Sequence, residues 1–423
     1  MKHNKLMTWM ALAACCLVAL SAARGADITW TNAAGGDFSN PLNWSPNQVP
    51  YTNDKAIFNI ETEEPYTVTW SASVTNDNFF AGPGKVVWNL NGHKYRLWKV
   101  TATSVYKGGL GTTTAPLDLL VTNGILDISA TYPYCYYRGI VGNTTIHIKT
   151  DGPGSVGRYD NAGIGDGSKL IIDGPEMTSG RLYVLSGGEL VITNGARLTE
   201  GGSRLHIRAG GRVSVSGAGS LLTGSFFYVE SGVTSGILYV GDGAEAKSML
   251  NPCRLNGGRV ILDNGYVYVN SPTTRNIVID GGMIEGNGRL AAATIQNVGG
   301  WIRPGGTGTA GLLTQTGNFH NYNPVAPYEP GTMEFNLGGT STNAHDRLVV
   351  SGTLYAGGTL AVSLIDGFKP ASGGTFDILD FTAVDGEFEE LDFPGCAANW
   401  DISKLYTTGE IRYRPVGTVL MVQ

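Results

Sequence analysis

Charged side chains are scarce in this sequence: 15% of its 423 residues, against roughly 25% in an ordinary soluble protein. Helical patterning is scarcer still. No window of roughly three turns carries a convincing 3.6-residue apolar period, which excludes helical bundles and doubly wound folds. Cysteine is sparse. Cys15 and Cys16 lie in an N-terminal apolar run, and Cys135, Cys253 and Cys396 are far apart and odd in number. That spacing excludes a disulfide framework and a cysteine metal site. The histidines His93, His147, His206, His320 and His345 are scattered. There is no His-Glu-x-x-His pair and no Gly-x-Ser-x-Gly elbow, so the common zinc and serine hydrolase signatures are missing.

What the chain has in excess is glycine, 61 residues, together with 42% hydrophobic residues. The apolar residues are regularly placed, which separates this composition from that of a disordered chain. The order is clearest between residues 180 and 225. Arg181-Leu182-Tyr183-Val184-Leu185-Ser186-Gly187-Gly188-Glu189-Leu190-Val191-Ile192 is matched one repeat later by Arg204-Leu205-His206-Ile207-Arg208-Ala209-Gly210-Gly211-Arg212-Val213-Ser214-Val215. The displacement, about 23 residues, is of solenoid length. Leu198 then aligns with Leu221 and Gly201 with Gly224. Both segments alternate apolar and polar residues, the period of a half-buried strand. Two short strands separated by a Gly-Gly corner cannot bury their own apolar face, whereas stacked copies can. The expected fold class is all-β, a parallel β-helix (solenoid) with an N-terminal aromatic cap and a β-rich C-terminal region. Leu182, Val184, Leu190, Ile192, Leu205, Ile207, Val213 and Val215 should point inward. Arg181, Tyr183, Glu189, His206 and Ser214 should point outward.

Residues 1–25 read as a signal peptide. Lys2 and Lys5 give a basic start, Met7 to Ala23 is almost wholly apolar, and Ala23-Arg24-Gly25 offers small residues at a cleavage site. A competing reading is a lipoprotein box at Leu12-Ala13-Ala14-Cys15, with Cys15 acylated. Cleavage near Gly25 leaves 26 basic against 35 acidic residues, a mature charge of −9. That balance argues against nucleic acid and anionic membrane as partners. No other segment is long and apolar enough to span a bilayer.

Residues 26–115 are expected to form an N-terminal cap and the first irregular coils. Trp30, Phe38, Trp44 and Phe58 either plug the open end of the solenoid or form a sugar platform. Residues 116–300 are the regular solenoid, punctuated by Asn123-Gly124, Asp173-Gly174, Asn194-Gly195, Asn264-Gly265 and Asp280-Gly281. Residues 301–415 read as a β-rich C-terminal domain or final wider coils, and 416–423 as a tail.

Candidate sites are few. Gly306-Thr307-Gly308-Thr309-Ala310-Gly311 fits GxGxxG, but a phosphate loop needs a helix after it and a β-like run follows. Asp151, Asp160, Asp166 and Asp173, near Arg158, Lys169 and Arg181, are the carboxylates a polysaccharide lyase or hydrolase would need. Asp151 and Asp173 are spaced to stack on adjacent coils. Three of the four are also turn dipeptides with glycine, and the tandem calcium-roll pattern is absent. Tyr132, Tyr134, Tyr136 and Tyr137 are the candidate carbohydrate contacts, since exposed phenol rings stack on sugar faces. The bland reading is an aromatic ladder inside a wide coil. The sequence assigns no catalytic, metal or cofactor-binding residue.

Three segments resemble a bacterial family of secreted surface proteins with autotransporter-associated β-strand repeats, of planctomycete and verrucomicrobial type. They are the Trp30…Asn43-Trp44…Pro50…Phe58 opening, the Ser186-Gly187-Gly188-Glu189-Leu190-Val191-Ile192-Thr193-Asn194-Gly195 rung and the ending. The ending, the most specific, runs from His345-Asp346-Arg347-Leu348-Val349-Val350-Ser351-Gly352 through Gly374-Thr375-Phe376-Asp377-Ile378-Leu379 to Trp400-Asp401-Ile402-Ser403. Many members continue into a Val-Pro-Glu-Pro sorting tail, which the residues after Arg414-Pro415 do not spell. The resemblance implies an extracellular or cell-surface protein that is structural or adhesin-like and non-catalytic. The alternative is a carbohydrate-binding or carbohydrate-active β-helix. Extracellular polysaccharide or cell-surface components are the expected partners.

Overall fold

Strand after strand pairs in parallel with a segment roughly one repeat further along the chain, and the result is the expected parallel β-solenoid. The computed structural model describes residues 25–415 except 77, 98–108, 111–116, 129–143, 151–153, 157–161, 166, 202–203, 272–274 and 323–328. Each regular coil carries three strands. In one coil they are Leu182–Val184, Glu189–Thr193 and Arg197–Glu200. They pair with Leu205–Ile207, Arg212–Ser216 and Leu221–Gly224 on the next. Stacking generates three parallel sheets, called first, second and third after this order. The sequence repeat shows only two of these strands. The third, Arg197–Glu200, is short with a charge at each end, so its alternation is hard to distinguish from a turn.

The register confirms the repeat displacement in two sheets. Leu182 pairs with Leu205, Val184 with Ile207, Leu190 with Val213 and Ile192 with Val215. In the third sheet the partners slip by one position: Leu198 pairs with Leu222, not Leu221. The corner at 217–220 is one residue longer than the corner at 194–196, and the slip is absorbed there. Coil length is therefore elastic. The step between coils is short where Ile284 pairs with Ile302 and much longer where Val86 pairs with Leu119. Insertions leave through the corners while the sheets keep their register.

The eight inward positions named above are essentially inaccessible. Each buried aliphatic side chain stabilises the fold by roughly 1.5–3 kcal/mol before entropy is counted. Arg181, Tyr183 and Glu189 point outward and are partly exposed. His206 and Ser214 also point outward, yet both are covered, because side chains on the coils above and below lie over them. Cys253 takes an inward place between Phe227 and Ile277, where burial pushes its thiol up to about 12.

The repeated Gly-Gly corner has two separate causes. The first glycine, Gly187 or Gly210, sits at φ +72° or +73°, a left-handed conformation that side chains disfavour. The second has an ordinary φ but no room. A Cβ on Gly188 would lie 2.0 Å from the Ile164 carbonyl oxygen, and one on Gly211 2.4 Å from that of Val184. The chain turns on the first glycine and passes against the previous coil on the second.

Both ends are closed. At the N-terminal end Asp27–Trp30 pairs antiparallel with Trp44–Ser45, and Trp30, Phe38, Trp44, Phe58, Trp70, Trp88 and Tyr95 form one buried cluster. Their rings meet edge to face or stacked, Trp30 on Trp44 at 5.0 Å and Phe38 on Trp70 at 5.0 Å. Of the two readings of these aromatics the plug is correct, because no ring face is left for a sugar. At the other end the second-sheet ladder, which starts at Gly36–Asp37 and passes through Tyr66–Thr69, continues beyond residue 300 through Thr332–Leu337 and Thr359–Leu364 to Glu390–Asp392. An antiparallel sheet of Thr375–Asp377, Glu410–Tyr413 and Trp400–Asp401 and a short helix, Leu405–Thr408, bring Phe376, Leu405 and Ile411 into the same core. In the wide late coils a buried polar ladder serves the corners. Asn297 donates to Asn321 (2.8 Å), which donates to the carbonyls of Gly331 (3.0 Å) and Gly357 (2.7 Å).

Two substitutions separate these causes. Gly211→Ala should cost about 2–3 kcal/mol, the penalty of overpacking against a backbone that cannot move alone. Gly201→Ala, whose Cβ would meet only the Ser179 carbonyl oxygen at 3.6 Å, should cost less than about 0.5 kcal/mol. Equal melting temperatures for the two variants would contradict the close-approach account.

Candidate functional site

The outer face of the first sheet carries a column of aromatic side chains with basic residues beside it. Alternation sends the middle residue of each strand outward, and the parallel register stacks those residues into a column. Tyr183 pairs with His206, His206 with Tyr228, and Tyr228 with Arg254. The Tyr183 and His206 rings are 5.4 Å apart, and His206 and Tyr228 are 4.9 Å apart, edge to face. His206 is buried between the two tyrosines, although alternation places it on the outward face. Sequence reasoning missed the column because the step from His206 to Tyr228 is one position shorter than the step from Tyr183 to His206. The available signal was an outward aromatic at the centre of three successive rungs.

Basic residues flank the column. Arg181 and Arg204 immediately precede the strands that carry Tyr183 and His206, and Arg208 follows the second of them. Arg204 and Arg208 are exposed, and the Arg208 guanidinium lies 5.7 Å from the Tyr183 ring centroid, within cation–π range. Two carboxylates share this face. Glu230 Oε1 is 2.9 Å from His206 Nε2, and Asp280 accepts from Arg254 Nη2 at 2.6 Å. Among the described residues no carboxylate lies within ion-pair distance of Arg204 or Arg208. The site can therefore offer flat aromatic edges and guanidinium donors side by side.

The residues singled out from sequence are distributed otherwise. Tyr132, Tyr134, Tyr136 and Tyr137 lie outside the described residues, as do Asp151, Arg158, Asp160 and Asp166. Asp173 ends the strand Lys169–Asp173. Its neighbours on the coil below are His147, at 2.9 Å, and Lys149, at 3.8 Å, and Asn194 donates to its other oxygen at 2.7 Å. Desolvation acts to raise its pKa, but the hydrogen bonds from Asn194 and His147, aided by the charge of Lys149, outweigh it and the pKa is lowered. The carboxylate is thus a stacked ion-pair member at an Asp-Gly corner, with both oxygens occupied. Gly306–Gly311 is a loop between the strands Trp301–Pro304 and Leu312–Gln315, with no helix to hold a phosphate. It sits beside an alternating charge column that the sequence did not reveal. Glu285 bonds Arg259 and lies 3.8 Å from Arg303, which bonds Glu334. Among the described residues no group of His, Cys, Asp and Glu is arranged to hold a metal ion, and no helix is long and apolar enough to cross a membrane.

The buried position of His206 has a consequence in pH. Burial lowers its pKa below the ordinary 6.5, helped by Arg208 and Arg204 and opposed by Glu230. The groups around the ring are Tyr183 and Tyr228 on the adjoining coils, those two arginines, and Glu230. The folded protein takes up this proton less readily than the unfolded chain, so stability should fall as pH drops through about 6.5. His206→Phe should flatten that part of the profile. Thermal melts at pH 5 and 7.5 read the effect, and an unchanged pH slope in the variant would contradict it.

No protein-family model matches this chain, and no curated protein sequence matches it.

Proposed function

We propose that this protein is an exported, non-catalytic, surface-associated solenoid that acts as a structural or adhesive spacer. The observation that carries this reading is the unbroken second-sheet ladder from Tyr66–Thr69 to Glu390–Asp392, closed at both ends. At about 4.8 Å per coil it is a rod roughly 60 Å long. A rod whose core depends on neighbours alone tolerates coils of different length, which suits a spacer with variable outer loops. The basic start, the apolar run to Ala23 and the Ala23-Arg24-Gly25 site support export. The resemblance to autotransporter-associated β-strand repeat proteins supports a cell-surface location. A carbohydrate-binding role on the same rod is favoured by the aromatic and arginine column of the first sheet.

Export is tested by expressing the full chain in a secreting bacterial host and measuring the intact mass. The expected product begins near Ala26 and lies outside the cytoplasm. A retained Met1 would contradict export by this leader, and a diacylglycerol on Cys15 would replace cleavage near Gly25 with lipoprotein anchoring. Surface labelling of intact source cells tests the location, and a protein reached only after lysis contradicts it.

A further inference from the structure

We propose that the outer face of the first sheet is a track for an acidic polysaccharide, a polyuronate lying along the solenoid axis. This rests on the adhesive reading and adds the ligand class. The column Tyr183, His206 and Tyr228 repeats once per coil, with ring centroids 5.4 and 4.9 Å apart. His206 is covered, so the accessible rings are those of Tyr183 and Tyr228, two coils apart. Two coils are about 10 Å, roughly the advance of two sugars in an extended polysaccharide, so a chain parallel to the axis meets a tyrosine at every second sugar. Aromatic rings take the C–H faces of pyranoses, and the tyrosine hydroxyls hydrogen-bond their edges. Arg181 and Arg204 line one side of the column and Arg208 the other, at positions where the carboxylates of successive uronates would fall. Guanidinium groups bind carboxylates through paired, charge-assisted hydrogen bonds.

The charge of the face runs against the charge of the chain. With residues 1–25 removed, acidic side chains outnumber basic ones by nine, so this arginine cluster is not a by-product of a basic composition. The same imbalance disfavours nucleic acid, whose closely spaced phosphates would meet the acidic remainder of the rod. The rings are also held in advance. His206 is wedged between two tyrosines, and the strands beneath are fixed in a stacked sheet, so little side-chain freedom is lost on binding.

Affinity electrophoresis of the mature protein in native gels containing polygalacturonate tests the proposal. The expected result is retardation that weakens with added salt. The double variant Arg204→Ala/Arg208→Ala should lose affinity by about tenfold or more, and Tyr228→Ala by a similar factor. Arg289→Ala on the third sheet is the control and should leave retardation unchanged. Methyl-esterified polygalacturonate, which keeps the sugar rings and removes the charge, should bind at least about tenfold more weakly. Circular dichroism of each variant separates lost binding from lost folding, and Arg204 and Arg208 are exposed enough to be replaced without disturbing the core. Absence of retardation by polygalacturonate overturns the proposal. So does retardation that the double variant leaves intact, or equal retardation by single-stranded DNA. Retention by a neutral glucan alone overturns the uronate assignment and leaves the adhesive reading standing. The adhesive reading fails separately, on the surface-labelling result.

Discussion

In-register parallel stacking is the constraint on which the rest of this molecule depends. A strand in the middle of the stack has both edges paired, one with the coil before and one with the coil after, so no backbone donor or acceptor is stranded. The pairing fixes which residue lies above which. Because side chains alternate, it also fixes which residues share the interior. Leu182, Leu205, Phe227, Cys253 and Ile277 occupy one inward column. Its members differ in size but are all apolar, because every neighbour along the column is apolar. The corners must then bring the chain back within van der Waals range of the previous coil, which is why Gly188 and Gly211 have no space for a side chain. The ends have no neighbour to pair with, which is why each is closed by antiparallel strands and large aromatic side chains.

The register that builds the core also composes the surface. Outward residues form columns as regular as the inward ones, and what a column does depends on its chemistry. Lys169, Glu189 and Arg212 alternate in sign up the second sheet, with the Lys169–Glu189 pair at 2.9 Å and Arg212 at 4.0 Å from Glu189. Pairs this exposed contribute little stability individually, but they keep like charges from stacking. Two positions along the strands of the same sheet, Glu285, Arg303 and Glu334 form a second alternating column that is more covered, and Arg259 reaches across to Glu285. On the first sheet the column is aromatic and its flanks are basic, and among the described residues no carboxylate pairs with Arg204 or Arg208. A rule needed for folding therefore produces, on one face, a surface whose regular spacing suits a linear polymer.

The sequence was legible where a repeat copied itself without insertion. Residues 181–192 and 204–215 are such a case, and the eight inward positions follow from them directly. It became illegible where a corner changed length. One extra residue between Ser216 and Leu221 moved the partner of Leu198 to Leu222. The shorter step from His206 to Tyr228 likewise hid the aromatic column. The aromatics from Trp30 to Phe58 were recognisable as a plug or a platform. Burial decided between the two, and burial depends on contacts from coils distant in sequence. The covered state of His206 was invisible for the same reason, since alternation gives direction but not what lies above and below. The ion-pair column through Glu285 joins coils of unequal length. Ile261 pairs with Glu285, Glu285 with Arg303 and Trp301 with Thr332, three different steps that no fixed period could have found.

The most direct test of the stacked register is a pair of deletions. Removing Arg181–Ser203 takes out one whole coil and joins Gly180 to Arg204, so that Leu205 arrives where Leu182 stood. The protein should still fold, about 4.8 Å shorter, because solenoid stability is roughly a sum of repeat and interface terms. Removing only Arg181–Ile192 takes out fewer residues but leaves a coil without its first two strands, and it should melt lower and be cleaved faster by protease. The two proteins are compared by circular dichroism, melting and limited proteolysis. A half-coil deletion as well folded as the whole-coil deletion would contradict the stacked register, and with it the columns on which the core and the outer face both rest.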